Sequence, residues 1–200
     1  MPLVQKAFWP NDKRFAVCLT HDVDELKNTY QYFTRSVRHL KSGEFGRAGY
    51  HIKSFFSDKL FGRNPYWTFD DIMRIENELN VRSTFFFLNE TAKVNILKPA
   101  TWIHYARRYD FQKPKIAELI RELASKGWEI GLHGSYESYL DKDKLKEEKE
   151  YLEKILGSKV YGIRQHHLNM KIPETWKYQE GIGLGNFDLR ESIFCGCKYF

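Results

Sequence analysis

Residues 115–133 read KIAELIRELASKGWEIGLH, and two periodicities meet within them. Ile116, Leu119, Ile120 and Leu123 recur at helical spacing, which gives one face of a helix an apolar stripe. Gly127 is placed to end that helix, because helices commonly close on a left-handed residue and glycine enters that region without strain. Trp128–Leu132 then reads as a short strand buried in a sheet. Working outward, RSTFFFL at 82–88 and RFAVCLT at 14–20 are strands of the same kind, and Lys159–Arg164 is a fourth. Thr68 with Asp71 three residues on resembles a capping box, and Ile72, Ile75 and Leu79 continue it as a helix ending near Asn80. A charged helix rich in Glu–Lys pairs spans about 142–156. Between Glu25 and Phe61, aromatic-rich helical segments at 29–40 and 51–60, interrupted by glycines 43, 46 and 49, read as an insertion. Strands alternating with helices predict an α/β fold with a mainly parallel sheet, and residues 1–200 read as a single domain.

The composition narrows the class. Hydrophobic residues are 42% of the 200 and aromatics 16%, too much apolar surface for a disordered chain. No run approaches the roughly 18 apolar residues of a membrane helix, and MPLVQKAFWPNDKR lacks the apolar core of a signal peptide, so a cytoplasmic location is expected. The net charge of +6 is spread along the chain and interleaved with acids, which argues against nucleic acid as a partner. With three cysteines, Cys18 inside an apolar run reads as a buried core thiol, and Cys195 and Cys197 have no second pair to complete a zinc site; a reducing compartment is expected.

In a parallel α/β sheet, ligands bind where polar side chains cluster after the strand ends. Three such clusters stand in order. In Thr20-His21-Asp22-Val23-Asp24, extended geometry puts Asp22 and Asp24 on one side and His21 and Val23 on the other, and two carboxylates together invite a cation. An EF-hand is excluded, because the next ligand position is Leu26 and the glycine position is Lys27. In Gly131–Glu137, His133 and Glu137 stand four apart, so a helical turn would bring imidazole and carboxylate to one point, a good pair for a first-row divalent ion. In Gly162–His167, Arg164 could orient a carboxylate, and of the adjacent His166 and His167 at most one is expected to face the site. Gly181, Gly183 and Gly185 do not have dinucleotide-loop spacing and read as a structural turn.

Taken together and in this order, the clusters resemble the motifs of the polysaccharide deacetylase family, carbohydrate esterase family four. The match is to a subgroup whose first motif is T-H-D-V-D. The resemblance implies a distorted (β/α)7 barrel and removal of N-acetyl groups from an amino-sugar glycan with one divalent metal ion, zinc first and iron, cobalt or nickel as alternatives. It implies Asp22 as catalytic base, Arg164 as the residue that orients it, and Asp24 and His133 as metal ligands. Glu137 stands where the commoner second motif has its second histidine, and is expected as the third ligand. The family continues into further strands and a late histidine that protonates the leaving amine; Ile193–Phe200 resembles a segment that leads onward there. The expectation is therefore a partial barrel, C-terminally truncated, in which His166, His21 or solvent supplies that proton. Its exposed sheet edge would call for a second copy or a companion chain.

Two rival readings remain: a metal-dependent hydrolase acting on a small amide, and a non-catalytic remnant that binds a glycan or a partner. Tyr136, Tyr139 and Trp176 are the candidate sugar-stacking aromatics.

Overall fold

The computed structural model of the chain describes residues 16–27, 31–62, 64–90, 97, 104, 109, 111 and 113–185 with the backbone of 197–199. Among these, four parallel strands form one sheet in sequence order: β2 (Thr20–Val23), β3 (Thr84–Leu88), β4 (Glu129–Gly134) and β5 (Ile163–Gln165). The sheet is curled, with helices packed on one face, so it has the form of a partial barrel. A second sheet is a two-stranded antiparallel ribbon of β1 (Ala16–Cys18) and β6 (Cys197–Tyr199).

The expected first strand at 14–20 is thus divided. Residues 14 and 15 lie outside the described residues, Ala16–Cys18 joins the ribbon, and the sheet strand is the T-H-D-V segment itself. Cys18 is exposed and disulfide-bonded, with Cys197 opposite it in the ribbon register. This corrects the reading of Cys18 as a buried thiol. It also removes the basis for a reducing compartment, since disulfides persist in oxidising ones.

Among the described residues the helices are α1 (Gln31–Lys41), α2 (Phe45–Phe61), α3 (Phe69–Glu78), α4 (Pro114–Ser125), α5 (Lys142–Leu156) and α6 (Glu174–Gly181). Gly43, at φ +73°, separates α1 from α2, whereas Gly46 and Gly49 lie inside α2 instead of breaking it. Residues 116–127 fold as expected, with Ile116, Leu119, Ile120 and Leu123 buried on α4 and Gly127 at φ +91°, whereas the strand expected at Trp128–Leu132 lies at Glu129–Gly134 and runs two residues further. In α5, Asp141 caps the first turn by accepting from the Asp143 and Lys144 amides. The strand expected at 159–164 is shorter and later, at 163–165.

The core lies between the sheet and helices α3, α4 and α5. Val23, Phe85, Phe87, Ile130 and Leu132 meet Phe69 and Met73, the α4 stripe, and Leu145 and Leu152. β3 is buried along its whole length.

One helix face differs from its reading. In α3 the buried residues are Phe69, Met73 and Glu76, while Ile75 and Leu79 are exposed, and the Thr68 side chain makes no cap bond. Two contacts turn the helix. Phe69 stacks on Phe87, and the Glu76 carboxylate is drawn inward by three donors: Trp128 Nε1 at 2.6 Å, the Ser83 amide at 2.9 Å and His21 Nε2 at 2.8 Å. A buried carboxylate with this many donors is a fixed point of the fold.

Burial opposes the charge on Glu76, but the bonds from His21, Trp128 and Ser83 outweigh it and hold the pKa below its ordinary 4.5. Its stabilising contribution is therefore full above the unfolded-state value and is lost as the pH falls through the lower folded-state value. Glu76→Ala orphans two buried donors, the Trp128 indole and the Ser83 amide, and removes the partner of the partly exposed His21 ring; it is expected to lower unfolding stability by about 2–4 kcal/mol in urea titrations at neutral pH. Glu76→Gln is expected to flatten the decline in stability below the ordinary carboxylate pKa.

Candidate metal and catalytic site

Asp22 and Asp24 come from β2 and the residue just beyond it, His133 from β4, Arg164 from β5, and His166 from the short 3-10 turn His166–Leu168. With Gln165, His167 and Leu168 they line a cleft of about 230 Å³. Strand alternation sorts β2 as expected. His21 and Val23 face the helices, against Glu76 and the core, while Asp22 faces the cleft.

Arg164 donates from one Nη to Asp22 Oδ1 at 2.9 Å and from the other to Thr20 Oγ1 at 2.9 Å. Its guanidinium lies 4.9 Å from the centre of the Phe86 ring. Phe86 itself lies across Gly131: a Cβ at that position would sit 2.5 Å from two ring carbons. The glycine of the second cluster therefore makes room for the platform that carries the arginine of the third.

The two histidines are oriented by their other nitrogens. His133 Nδ1 donates to the Arg164 carbonyl at 2.8 Å, which turns Nε2 toward Asp24 Oδ1 at 3.1 Å. Burial works against protonation of His133, but the bonds to Asp24 and the Arg164 carbonyl, with the charges of Asp24 and Asp22, raise its pKa overall. His166, only 2% exposed, has Nδ1 3.3 Å from Glu90 Oε2 and Nε2 4.0 Å from Asp24 Oδ2.

One carboxylate and two imidazole nitrogens thus converge, with all three ligand atoms within 4.8 Å of one another. Around a tetrahedral ion with bonds of about 2.1 Å, donors stand about 3.4 Å apart, so roughly an ångström of side-chain movement closes this set on a metal. The donor types suit zinc and other first-row divalent ions, and both histidines already have the outer-shell acceptors typical of metal ligands.

The set differs from the expected one in its third member. Glu137 is half exposed, with its carboxylate 3.4 Å from Lys144 Nζ. The reason is local: β4 runs on to Gly134, and a turn and the 3-10 helix Ser138–Leu140 follow it, so no α-helical turn brings residues 133 and 137 to one face. His166 takes the place beside Asp24 and His133, although it was expected as a proton donor. His167, at φ +56°, stacks on it with centroids 4.2 Å apart, so both rings line the cleft, contrary to expectation.

Glu90 escaped the sequence reading. It is 3% exposed and accepts from the Tyr136 amide at 3.3 Å as well as facing His166, with His104 Nδ1 at 3.7 Å. The signal was its position two residues beyond the end of β3, where the other polar clusters also lie.

No protein-family profile and no curated protein sequence matches the chain. Among solved structures, it is similar to the Xyl-CE4 domain of a multidomain xylanase from the hindgut metagenome of Trinervitermes trinervoides, at 11% identity and a TM-score of 0.39 over 57% of this chain and 49% of that one. It is also similar to a family 4 acetyl xylan esterase from Clostridium thermocellum, solved in complex with a cobalt ion, at 17% identity and a TM-score of 0.35 over 53% of this chain and 45% of that one. The aligned region spans about half the length of these solved chains.

Calorimetric titration with zinc or cobalt is expected to give one site per chain. His166→Ala is expected to weaken it at least a hundredfold, Glu90→Ala by about 10–100-fold, and Glu137→Ala not at all. Equal weakening by Glu137→Ala and His166→Ala would refute the assignment of the third ligand.

Proposed function

We propose that the chain is a metal-dependent hydrolase that removes N-acetyl groups from an amino-sugar glycan. The observation that supports this reading is the Arg164–Asp22 ion pair, which opens onto the same cleft as the Asp24, His133 and His166 donor set. A carboxylate held beside a metal-ligand cluster is one arrangement that can activate water for attack on an amide carbonyl.

A divalent ion held by Asp24, His133 and His166, zinc first with cobalt, iron or nickel as alternatives, would supply Lewis-acid polarisation of the amide carbonyl and acidify a water. Asp22 Oδ2 accepts the proton of the attacking water, while Arg164 keeps Oδ1 engaged and the carboxylate aimed into the cleft. The water oxygen bonds to the carbonyl carbon, the C–N bond breaks, and acetate and a free amine leave. His21 is turned to Glu76 on the other face, so it does not supply the amine's proton. In this reading Asp22 returns the proton it took, or His167 on the cleft wall gives one. Tyr136 stands at the rim, 5.9 Å from His167 between ring centroids, where it can stack on a sugar face.

The small-amide reading stays as the alternative, because a cleft of about 230 Å³ admits an acetamide group whether it belongs to a small amide or to the N-acetyl arm of a sugar. Among the described residues β5 pairs only with β4, and we propose that this open edge takes a second copy or companion chain.

The test is acetate release from oligomers of N-acetylglucosamine and from a simple acetamide, using protein loaded with zinc or cobalt. Asp22→Asn is expected to lower kcat by about 10²–10⁴-fold with metal content unchanged. Release from the acetamide alone would select the small-amide reading. A folded, metal-loaded protein that releases no acetate from either would leave the non-catalytic reading.

A further inference from the structure

Helices α1 and α2 pack against each other as a hairpin that buries Ala48, Ser36 and Tyr32 but presents large apolar side chains to solvent. On α1, Phe33, Val37 and Leu40 fall at i, i+4 and i+7. On α2, Phe45, Ile52, Phe56 and Leu60 continue one stripe. Phe33 is 59% exposed, Phe45 71%, Phe56 65% and Leu60 79%. The stripes meet at Phe55, whose ring centroid is 5.3 Å from those of both Phe33 and Phe56.

The same 31 residues are basic. Arg35, Arg38, Lys41, Arg47, Lys53 and Lys59 stand against Glu44 and Asp58, so residues 31–61 carry +4 of the chain's net +6, which corrects the expectation that the excess charge is spread evenly along the chain. Both acids are engaged within the hairpin. Glu44 pairs with His39 and Arg47, and Asp58 accepts from the Tyr32 hydroxyl. Exposed aromatics interleaved with excess Lys and Arg on an amphipathic helix pair are the chemistry of a surface that lies in the headgroup region of an anionic bilayer. No described helix is long and apolar enough to cross a membrane.

We propose that the α1–α2 hairpin docks the protein on an anionic lipid surface, with the Phe33 and Phe56 stripes entering the interface and the surrounding Arg and Lys facing lipid headgroups. The charge decides for lipid over a second copy of this chain, because two faces of +4 repel each other while an anionic leaflet attracts each of them. The proposal is independent of the deacetylase reading, and catalytic activity is not its readout.

The test is flotation of the full chain with vesicles of neutral phosphatidylcholine alone and of phosphatidylcholine with 30% phosphatidylserine, at about 0.1 M and 0.5 M salt. Binding is expected to the anionic vesicles only, and to fall at the higher salt. The charge variant Arg38→Glu with Lys53→Glu, and the apolar variant Phe45→Ser with Leu60→Ser, are each expected to weaken it at least tenfold while circular dichroism is retained. Lys142→Glu with Lys146→Glu on α5 serves as a control of equal charge change and is expected to retain most of the binding. Loss of binding in the control as large as in the hairpin variants would mean general adsorption of a basic protein and would overturn the proposal. It is likewise overturned if neither vesicle is bound, or if light scattering shows a dimer that the hairpin variants dissociate while vesicles are ignored.

Discussion

Arg164 reaching Asp22 is the contact on which the site depends. Their strands are the two edges of the four-stranded sheet, three inter-strand spacings apart, or about 14 Å if the sheet were flat. An arginine side chain does not cover that distance. The 2.9 Å contact exists because the sheet curls and because Phe86, from the strand between, lies flat enough to be crossed. Phe86 can lie so only over a residue without a side chain, and Gly131 is its register partner. Curl, glycine, aromatic platform and ion pair form one connected arrangement, and each member is explained by the next.

The metal-ligand cluster depends on the same curl but is held by different means. Asp24, His133 and His166 come from three segments, and each imidazole is turned by an acceptor on its far side: a backbone carbonyl for His133, the Glu90 carboxylate for His166. Glu90 also receives the Tyr136 amide, so the loop after β4 and the turn after β5 share one buried carboxylate. Tyr109 does similar work between β2 and β3, donating to the Val23 carbonyl at 2.6 Å and accepting from the Leu88 amide at 2.8 Å. The C-terminal ends of the strands are thus tied together where donor positions matter most, the arrangement that preorganised chemistry needs.

The opposite face of the sheet has its own buried carboxylate, Glu76, which gathers Trp128, Ser83 and His21. His21 and Asp22 are neighbours in one strand, yet one belongs to the packing of α3 and the other to the cleft. A single strand of alternating residues connects the stability of the helical layer to the geometry of the site, while the aromatic, basic hairpin of α1 and α2 packs chiefly upon itself.

Local patterns were enough to determine much of this protein. Helical spacing in 116–123, the glycine at 127 and the apolar runs around 84–88 and 129–132 sufficed for the alternation of strand and helix, because near-neighbour periodicity governs which face is buried. Strand alternation likewise sufficed to put Asp22 on the face away from His21. Tertiary structure decided what depends on distant partners. Phe87 and the donors around Glu76 rotated the buried face of α3. A turn after β4 directed Glu137 to Lys144, and the 3-10 turn that follows β5 directly placed His166 beside Asp24. The ribbon register set Cys18 opposite Cys197. The physical reason is the same in each case: spacing along the chain specifies direction within one element, whereas a ligand set, a buried charge or a cross-strand bond is specified by the meeting of elements that sequence separates by tens of residues.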